Sequence, residues 1–405
     1  MHFNMDLPGL EDVIVTKQEN RGDLFYIFCE MERQLHQCPN CANWTDRIHD
    51  YREQKINHLK IFERRGTLIY KKRRYACNEC GKRFYENNNI VERYQRNSIE
   101  FNQSLGFRLI TGSSFTDTAH LFDISPSTAL RRFDKISDSM LGQVDELPSV
   151  ISIDEYKGDT DAGKYQLIIV DPVERKPLDI LPNRSKKELI RYLRKKGSNV
   201  KVVVMDMSPS FKAAVHAVLG KPIIIADRFH FVRYIHWAMD KVRKRVQKEF
   251  SDYDRKRIKR KRYVLHKPSN QLNDWQLWNL QRYIGMNETL KKAHELKESF
   301  REWFIYAKDQ GAKHPGKVRN ALMDFYQLVK NSGIPEFLEA IETFQNWQTE
   351  ILNSFAFDLH NGFIEGVNNQ TKVIKRNAFG FKSYKRFRLK ILLHHQYKEY
   401  AKNVG

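Results

Sequence analysis

The chain has 405 residues, which predicts two to four structural units. Its 70 Lys and Arg against 49 Asp and Glu give a formal charge of +21, and positive charge of this size attracts polyanions. Nucleic acid is favoured over an anionic membrane surface, because no apolar run approaches the ~18 residues of a spanning helix. The N-terminus lacks a basic-then-apolar signal pattern, so we expect a cytoplasmic protein with no membrane partner.

Two Cys-x-x-Cys pairs, separated by 35 residues, mark the first predicted domain, residues 1–92. Five cysteines are too few for a disulfide scaffold in a chain this long, whereas four thiolates at this spacing suit tetrahedral Zn²⁺. Gly81 suits the tight turn after the second pair, and a strand pair within 56–75 brings the two pairs together. The alternative is unpaired reduced cysteines. The predicted zinc ligands are Cys38, Cys41, Cys77 and Cys80.

Three further features of this module carry predictions. Cys29 is left over, and we expect it to be a buried small hydrophobe. The basic runs Lys71–Arg74 and Lys82–Arg83 suggest phosphate contacts beside the cysteine pairs, although a solvated basic face has the same appearance.

Residues 93–145 have the pattern of a helix-turn-helix domain. Thr116 is expected to cap one helix, Asp123 lies in the turn, and Ser125 followed by Pro126 is a typical start of the next. A basic zinc module precedes these helices, which favours DNA binding over a three-helix spacer. The residues expected to contact DNA on the last helix are Ser127, Thr128, Arg131 and Arg132.

Residues 148–232 carry the pattern of a mixed sheet. Short β-branched runs without polar alternation are typical of strands that are covered on both faces. Three strands, a helix, a strand, a helix and a final strand follow in the order of a ribonuclease H-like core. The predicted strands cover 150–154, 164–171, 177–182, 201–206 and 221–227, with helices over 185–196 and 209–219.

Three of the predicted strands end in an aspartate: Asp154, Asp206 and Asp227. Side chains at strand ends leave the packed layer and reach the crevice at the sheet edge, where ligands bind in open α/β sheets. Carboxylates that meet there repel one another unless a cation lies between them. The sequence therefore predicts a magnesium site.

Residues 233–350 are predicted to form an all-helical segment. Lys241–Arg262 contains twelve Lys and Arg among twenty-two residues, which in a chain of this charge favours a phosphate-tracking surface over an ordinary solvated face. Four tryptophans that follow this basic run are assigned to the core, with base stacking as the alternative. They are Trp275, Trp278, Trp303 and Trp347; the residues expected to contact DNA are Arg243, Lys244, Arg257 and Arg260.

The last predicted domain, residues 351–400, contains an amphipathic helix that ends near Gly380. Five residues at helical spacing make an inward stripe, and Glu365 shares another face with two asparagines and two bases. This face suits metal binding beside phosphate, and an ordinary amphipathic helix with a surface glutamate is the alternative. The stripe is Ile364, Val367, Thr371, Ile374 and Ala378; the polar face is Glu365, Asn368, Asn369, Lys372 and Arg376, with Lys372 and Arg376 expected to contact DNA.

Taken together, these motifs resemble the ISL-three family of bacterial insertion-sequence transposases, from the first cysteine pair to the last helix. Besides the cysteine pairs and the helix-turn-helix, the resemblance rests on Ser152-Ile-Asp154-Glu, Asp206-Met-Ser-Pro209, Asp227-Arg-Phe-His230 and Asn361-Gly-Phe-Ile-Glu365-Gly-Val-Asn-Asn369. It implies a multidomain α/β fold with an N-terminal zinc-binding module and a helix-turn-helix. The ribonuclease H-like mixed sheet core is interrupted by an all-helical insertion.

The resemblance also implies a DDE transposase, in which Asp154, Asp206 and Glu365 hold Mg²⁺ or Mn²⁺. Asp227 and His230 are similar to an accessory motif that aids positioning. Asp206 and Asp227 both end strands, so either is a candidate for the second acid, and the order of the elements favours Asp206.

A transposase of this type binds double-stranded DNA at terminal inverted repeats and uses two metal ions in a single site. Water attack releases a 3′-hydroxyl, which then attacks target DNA. The family analogy further implies a homodimer on paired DNA ends at the bacterial nucleoid. Two alternatives remain at this point, namely a non-catalytic DNA-binding regulator and a ribonuclease H-like nuclease without strand transfer.

Overall fold

The computed structural model describes residues 10, 13–142, 144–357, 359 and 361–403, with side chains to residue 397. It divides the chain into two compact units. One comprises Met1–Leu141 with Asn377–Phe379, and the other comprises Gly142–Arg376 with Gly380–Gly405. The first residues of the predicted zinc module, 1–9 and 11–12, lie outside the described residues.

The first unit begins with two small sheets. The larger has the order β1-β2-β6-β5, with β7 also paired to β6, and β2 and β6 run parallel while the other neighbours are antiparallel. The smaller is the antiparallel pair β3–β4. The strands are β1 (Val13–Arg21), β2 (Leu24–Met31), β3 (His36–Gln37), β4 (Trp44–Thr45), β5 (Ile48–Asn57), β6 (Arg65–Ala76) and β7 (Arg83–Tyr85).

The core of this sheet confirms one prediction and corrects another. Cys29 is buried beside Ile27 and Leu68, as expected for a small hydrophobe. Arg73, by contrast, is buried and lies 3.5 Å from Glu86 and 3.2 Å from Glu30. A guanidinium held in buried ion pairs is not available to DNA, so the predicted phosphate role of the 71–74 run fails at Arg73.

Three helices follow, namely α1 (Ile99–Thr111), α2 (Phe115–Leu121) and α3 (Pro126–Met140). Each begins after a serine, Ser98, Ser114 or Ser125, whose hydroxyl accepts a hydrogen bond from a backbone N–H in the first turn. The predicted cap of the middle helix, Thr116, was wrong. Ser114 lies two residues earlier, and its hydroxyl accepts from the Asp117 amide, so Thr116 falls inside the helix.

The turn between α2 and α3 contains Asp123 with a φ of 51°, in the left-handed region that favours glycine. Its carboxylate lies 3.3 Å from the Lys60 ammonium group and 3.2 Å from the Arg65 guanidinium group. These two ion pairs provide a reason for an aspartate where the backbone alone would favour glycine.

The second unit is built on a five-stranded sheet in the order β10-β9-β8-β11-β12. The hairpin strands β8, β9 and β10 are antiparallel, whereas β11 and β12 run parallel to β8. Helices α4 and α5 precede the two parallel strands. The elements are β8 (Val150–Thr160), β9 (Gly163–Asp171), β10 (Lys176–Leu181), α4 (Lys186–Lys196), β11 (Val202–Met205), α5 (Pro209–Leu219) and β12 (Ile223–Ala226).

The prediction that Asp154 ends its strand was wrong, since β8 continues to Thr160. The continuation pairs with β9 alone, because the parallel pairing of β8 with β11 stops at Ile153. Asp154 is therefore the first residue beyond that pairing, at a step in the sheet edge.

Among the described residues of this unit, ten helices follow, with short 3₁₀ turns at Gln247–Glu249 and Ser269–Gln271. Buried residues of helices α6 to α13 form one continuous hydrophobic core with those of the sheet, and α13 contacts both strand β12 and helices α6, α10, α11 and α12. The helices are α6 (Arg228–Val246), α7 (Asp252–Arg260), α8 (Tyr263–His266), α9 (Asp274–Met286), α10 (Glu288–Gln310), α11 (Pro315–Ser332), α12 (Pro335–Asn346), α13 (Gln348–Ala356), α14 (Gly362–Asn377) and α15 (Tyr384–Asn403).

The tryptophans of this helical part divide into two classes. Trp303 and Trp347 are buried, which confirms the core assignment for these two. Trp275 and Trp278 are each 53% exposed on α9, so the core assignment was wrong there. Among the described residues, no helix is both long enough and apolar enough to cross a membrane.

Candidate active site

The sheet register places three aspartates side by side. Ile153 pairs with Met205, and Met205 pairs with Ala226, across three neighbouring parallel strands. The residue that follows each of these in the chain is an aspartate, namely Asp154 within β8, Asp206 after β11 and Asp227 after β12. Because the three preceding residues are in register, the three carboxylates emerge at the same level of the sheet edge.

His230 joins two of these acids. It lies in the first turn of α6, and its Nδ1 is 2.8 Å from Oδ1 of Asp206 and 2.8 Å from Oδ2 of Asp227. Burial lowers the pKa of His230, but hydrogen bonding of its ring N–H to the Asp206 and Asp227 carboxylates, together with their negative charges, more than offsets burial and raises the pKa to about 9. The imidazole is therefore a cation at neutral pH, and it partly neutralises the pair.

Asp154 is held by two hydrogen bonds. Its Oδ1 accepts from the Glu155 backbone N–H at 2.7 Å, and its Oδ2 accepts from Nδ2 of Asn368 at 2.6 Å. Burial, and then the negative charge of Asp206, raise the pKa of Asp154 to about 7. A carboxyl group whose ionised form is destabilised in this way, by burial and by a neighbouring negative charge, is typical of a site that binds a cation.

Helix α14 supplies the remaining wall of the site. Ile364, Val367, Thr371 and Ile374 are buried, which confirms four members of the predicted stripe; Ala378 lies beyond the end of the helix. Asn368 is also buried, at the i+4 position from Ile364. Asn368 was predicted to lie on the polar face, and its hydrogen bond to Asp154 was not predicted. The signal was its place within the period of the buried stripe.

Glu365 is exposed and lines the same cavity as the aspartates. This cavity has a volume of about 330 Å³, and Asp154, Asp206, Asp227 and His230 also line it. The structure thus brings all the predicted acids to one cavity. Within this cavity, Asp206, Asp227 and His230 have ligand atoms that all lie within 4.8 Å of one another.

The residues around this cavity fit a hard divalent cation. Carboxylate oxygens are the ligands that Mg²⁺ prefers, and several of them face a space large enough for an ion with its bound waters. Asn361 is buried at the wall, and within the described part of the chain its side-chain amide makes no hydrogen bond. Such a group suits a hydrated ion, whose waters supply hydrogen-bond partners.

The two cysteine pairs adopt matching backbone turns in the first unit. Each lies in a hairpin, between β3 and β4 or between β6 and β7. The amides of Cys38 and Cys77 each donate to the carbonyl five residues later, at 2.9 Å in both turns. The residues that follow the pairs, Ala42 and Gly81, have φ values of 60° and 69°, which confirms the tight turn predicted at Gly81.

The four thiols converge as a zinc site requires. Sγ of Cys38 is 3.5 Å from Sγ of Cys80, Sγ of Cys41 is 3.5 Å from Sγ of Cys77, and all four atoms lie within 4.8 Å of one another. Tetrahedral Zn²⁺ with bonds of about 2.3 Å separates its sulfur ligands by about 3.8 Å. These four cysteines therefore fit Zn²⁺.

The residues of the helical segment that were predicted to contact DNA differ in their exposure to solvent. Arg243 is only 2% exposed, and its guanidinium lies 2.7 Å from Asp240 and 2.7 Å from Gln247. The prediction that Arg243 contacts DNA was wrong, because a charge paired inside the core does not reach a phosphate. Lys244 and Arg260 are exposed.

The other predicted DNA contacts remain accessible. Arg257 is half-buried and donates to the hydroxyl of Tyr253. On α3, Arg131 is exposed and donates to Oγ1 of Thr128 at 3.2 Å. The remaining members are at the surface or partly buried: Ser127 and Arg132 on α3, and Lys372 and Arg376 on α14.

Comparison with known proteins agrees with this organisation. The DDE transposase model of the ISL3 family, described as a transposase, matches residues 151–391, which is more than half of the chain. A zinc-finger model of the IS204/IS1001/IS1096/IS1165 transposases matches residues 34–80. The helix-turn-helix model of transposase family ISL3 matches residues 86–137.

One individual relative extends the match over most of the chain. The transposase of insertion sequence IS1001 from Bordetella parapertussis is 25% identical over 385 residues, which cover 92% of each chain. The IS1557 transposase of Mycobacterium tuberculosis is 28% identical over 128 residues, 32% of this chain and 27% of the relative. A Lactococcus lactis protein named an ATP-dependent protease is 41% identical over only 69 residues, 17% of this chain and 22% of its own length. The chain therefore belongs to the ISL3 family of insertion-sequence transposases and has that family's zinc-finger and helix-turn-helix domains.

Proposed function

We propose that this transposase cleaves DNA at the ends of its element and joins the released 3′ ends to target DNA, with a DDE site on a ribonuclease H-like core. The observation that carries the proposal is the register of Asp154, Asp206 and Asp227, which face Glu365 across one cavity. The sheet order also supports it, because a three-stranded antiparallel hairpin sheet extended by two parallel strands is the order that the sequence analysis associated with this core.

Asp154, Asp206 and Glu365 would hold two divalent ions, Mg²⁺ or Mn²⁺. Bound there, such ions supply Lewis-acid activation of the attacking oxygen and stabilisation of the leaving one. Asp206 is favoured over Asp227 as the second acid, because β11, which it follows, lies next to β8 in the sheet, whereas β12 lies one strand further away. Asp227 is also the more buried of the two.

The chain's own groups orient these ligands. The Glu155 amide and the Asn368 side chain each bond one oxygen of Asp154, which fixes the plane of the carboxylate. His230 Nδ1 donates to Oδ2 of Asp227 and forms an ion pair with Oδ1 of Asp206 at 2.8 Å, so it holds the two carboxylates close together. In the first step, water adds to phosphorus as the 3′-oxygen leaves; in the second, that 3′-hydroxyl attacks a target phosphate and displaces another 3′-oxygen.

The DNA-binding domains would select the substrate. We infer that the zinc domain and the helix-turn-helix bind the terminal inverted repeats. The exposed lysine and arginine side chains of α7 and α14 would contact phosphates near the cleavage point. Pairing of two element ends would require a homodimer. The protein would act in the bacterial cytoplasm, on DNA of the nucleoid.

A strand-cleavage and joining assay tests this function. Labelled duplexes that carry the element ends are incubated with target DNA and Mg²⁺ or Mn²⁺, with wild type and with Asp154→Asn, Asp206→Asn, Asp227→Asn and Glu365→Gln. Asp159→Asn is the matched control, because Asp159 is an exposed carboxylate on the same strand as Asp154.

The expected result is cleavage and joining by wild type and the control, and loss of both in the variants at positions 154, 206 and 365. A smaller loss in Asp227→Asn would assign Asp227 the accessory role. Retained activity of Asp206→Asn would instead make Asp227 the second metal-binding acid and Asp206 the accessory residue. Cleavage without joining would favour a nuclease. If wild type bound the ends but neither cleaved nor joined them, a regulator would be favoured.

A further inference from the structure

Three large side chains line one exposed face of α6 beside the acidic cavity. Phe229, Arg233 and Trp237 follow at four-residue spacing, which stacks them along the helix. The guanidinium carbon of Arg233 is 5.0 Å from the Phe229 ring centroid and 5.4 Å from the Trp237 ring centroid. The three residues are called the α6 ladder below.

The α6 ladder is not part of the hydrophobic core. Phe229 is 61% exposed and Trp237 is 49% exposed, although both have large apolar surfaces. Arg233 lies between the rings, and its Nε is buried with no hydrogen-bond partner within the described residues. Exposed rings with a cation between them are typical of surfaces that bind the bases and phosphates of nucleic acid.

The position of the α6 ladder connects it to the proposed catalytic acids. Phe229 lines the 330 Å³ cavity that contains the aspartates. Arg233 and Trp237 line a second cavity, of about 230 Å³, and the two cavities share Glu155, Asp206 and His230. A strand whose phosphate reaches the acids therefore has its neighbouring nucleotide next to these rings.

We infer that the α6 ladder binds an unpaired nucleotide of the DNA strand, adjacent to the phosphate that reacts. The inference rests on the proposed function, in that it takes a DNA strand to enter the acidic cavity. A base inside a duplex is stacked on both faces, so only an unpaired base offers a free face to Phe229 or Trp237. Arg233 supplies the positive charge that a phosphate requires next to a cavity lined by carboxylates.

Binding of DNA with an unpaired end tests the inference without requiring cleavage. The probe is a duplex with a short 3′ overhang that contains 2-aminopurine, whose fluorescence changes when it stacks on an aromatic ring. A blunt duplex of the same sequence reports binding by the other DNA-binding surfaces. The variants are Phe229→Leu, Trp237→Leu and the conservative Trp237→Phe.

Trp278→Leu is the matched control. Trp278 is as exposed as Trp237 and lies 5.8 Å from a guanidinium group, that of Arg282, but it lines neither of the two cavities. Because both tryptophans are half-exposed, neither substitution should unfold the chain, and circular dichroism checks this.

We expect Trp237→Leu to weaken binding of the overhang DNA by roughly 5- to 150-fold, the range observed for loss of one base-stacking ring. The fluorescence change should disappear, while blunt-duplex affinity stays within about twofold. Trp237→Phe should retain most of the affinity, and Trp278→Leu should match wild type.

The inference would be overturned if both leucine variants bound overhang DNA with wild-type affinity. It would also be overturned if Trp237→Leu changed the oligomeric state without changing DNA binding, since the face would then contact protein. The proposed function fails on a different result, retention of strand cleavage in Asp154→Asn. The two failures are therefore distinguishable.

Discussion

Replacement of Asp154 by asparagine should stabilise the metal-free protein at alkaline pH, although it removes a side chain of the proposed catalytic site. The folded chain raises the pKa of this carboxyl from 3.8 to about 7. The folded state therefore binds the proton more tightly than the unfolded state does. Stability is highest when Asp154 is protonated, and it is lost as the pH rises from about 3.8 through about 7.

The magnitude follows from the size of that rise. At about 1.4 kcal/mol per pKa unit, the ionised carboxylate costs about 4 kcal/mol above pH 7, or about 2–4 kcal/mol after allowance for residual solvent. Asparagine cannot accept from both the Glu155 amide and Asn368, so one hydrogen bond is lost, at a cost of about 1 kcal/mol. The net stabilisation expected at pH 8 is about 1–3 kcal/mol, or about 2–10 °C in Tm.

Thermal unfolding followed by circular dichroism measures this effect, in a metal chelator at pH 8 and pH 4. At pH 4, wild-type Asp154 is largely neutral, so the variant should be equal to wild type or slightly less stable. Asp171→Asn is the control, because Asp171 is a buried carboxylate on β9 that accepts from two backbone amides. This control should be destabilised at both pH values.

Magnesium should reverse the order of stabilities at pH 8. The cation binds the folded wild type and raises its Tm, whereas the Asp154→Asn variant lacks one ligand and should respond less. If Asp154→Asn were as destabilised at pH 8 as at pH 4, the charge of Asp154 would not be costly in the folded state. The reasoning that connects the buried carboxylate to cation binding would then be refuted.

Three further changes have expected outcomes of their own. Asn368→Ala should lower strand cleavage by about tenfold or more and raise the Mg²⁺ concentration required, because Asp154 loses a donor that fixes its plane. Val373→Ala should have little effect, since Val373 is half-exposed on the same helix and does not line the cavity. Purified protein should contain one zinc per chain by elemental analysis, and chelation should weaken duplex binding; less than about half an equivalent would contradict the four-cysteine site. Gly66→Ala should lower the free energy of unfolding by about 2 kcal/mol or more in denaturant titration, since its Cβ would lie 2.0 Å from the Leu59 carbonyl oxygen, and a neutral result would show that this backbone can move.

The sequence predicted the sheet well where burial alone determines a strand. Val202–Met205 and Ile223–Ala226 are short β-branched runs covered on both faces, so each reads as a strand and each is one. Val150–Thr160 was predicted too short, because its second half is polar and extends beyond the parallel part of the sheet. The second half of this strand is stabilised by hydrogen bonding to the hairpin strand β9 and not by apolar burial.

The individual contacts of charged and amide side chains were less predictable. Arg243 belongs to a strongly basic run, and only the packing of α6 shows that it is inside, paired with Asp240. Asn368 and Asp154 are 214 residues apart, so no local pattern indicates their hydrogen bond. Composition gives the net charge of each segment, but tertiary structure decides which of its charged side chains reach solvent.

Helix α6 connects the chemistry to the helical part of the protein. Its first turn carries His230 between two carboxylates, and a few residues later Phe231 and Ile235 enter the continuous core, where α6 contacts α10 and α12. The same helix therefore carries a residue of the acidic site at one end and residues of the helical core along its length. Because an α-helix is a stiff element, the position of the His230 imidazole between Asp206 and Asp227 depends on how α6 packs against the other helices, and core substitutions in α10 or α12 that shift α6 should disturb the site without touching it.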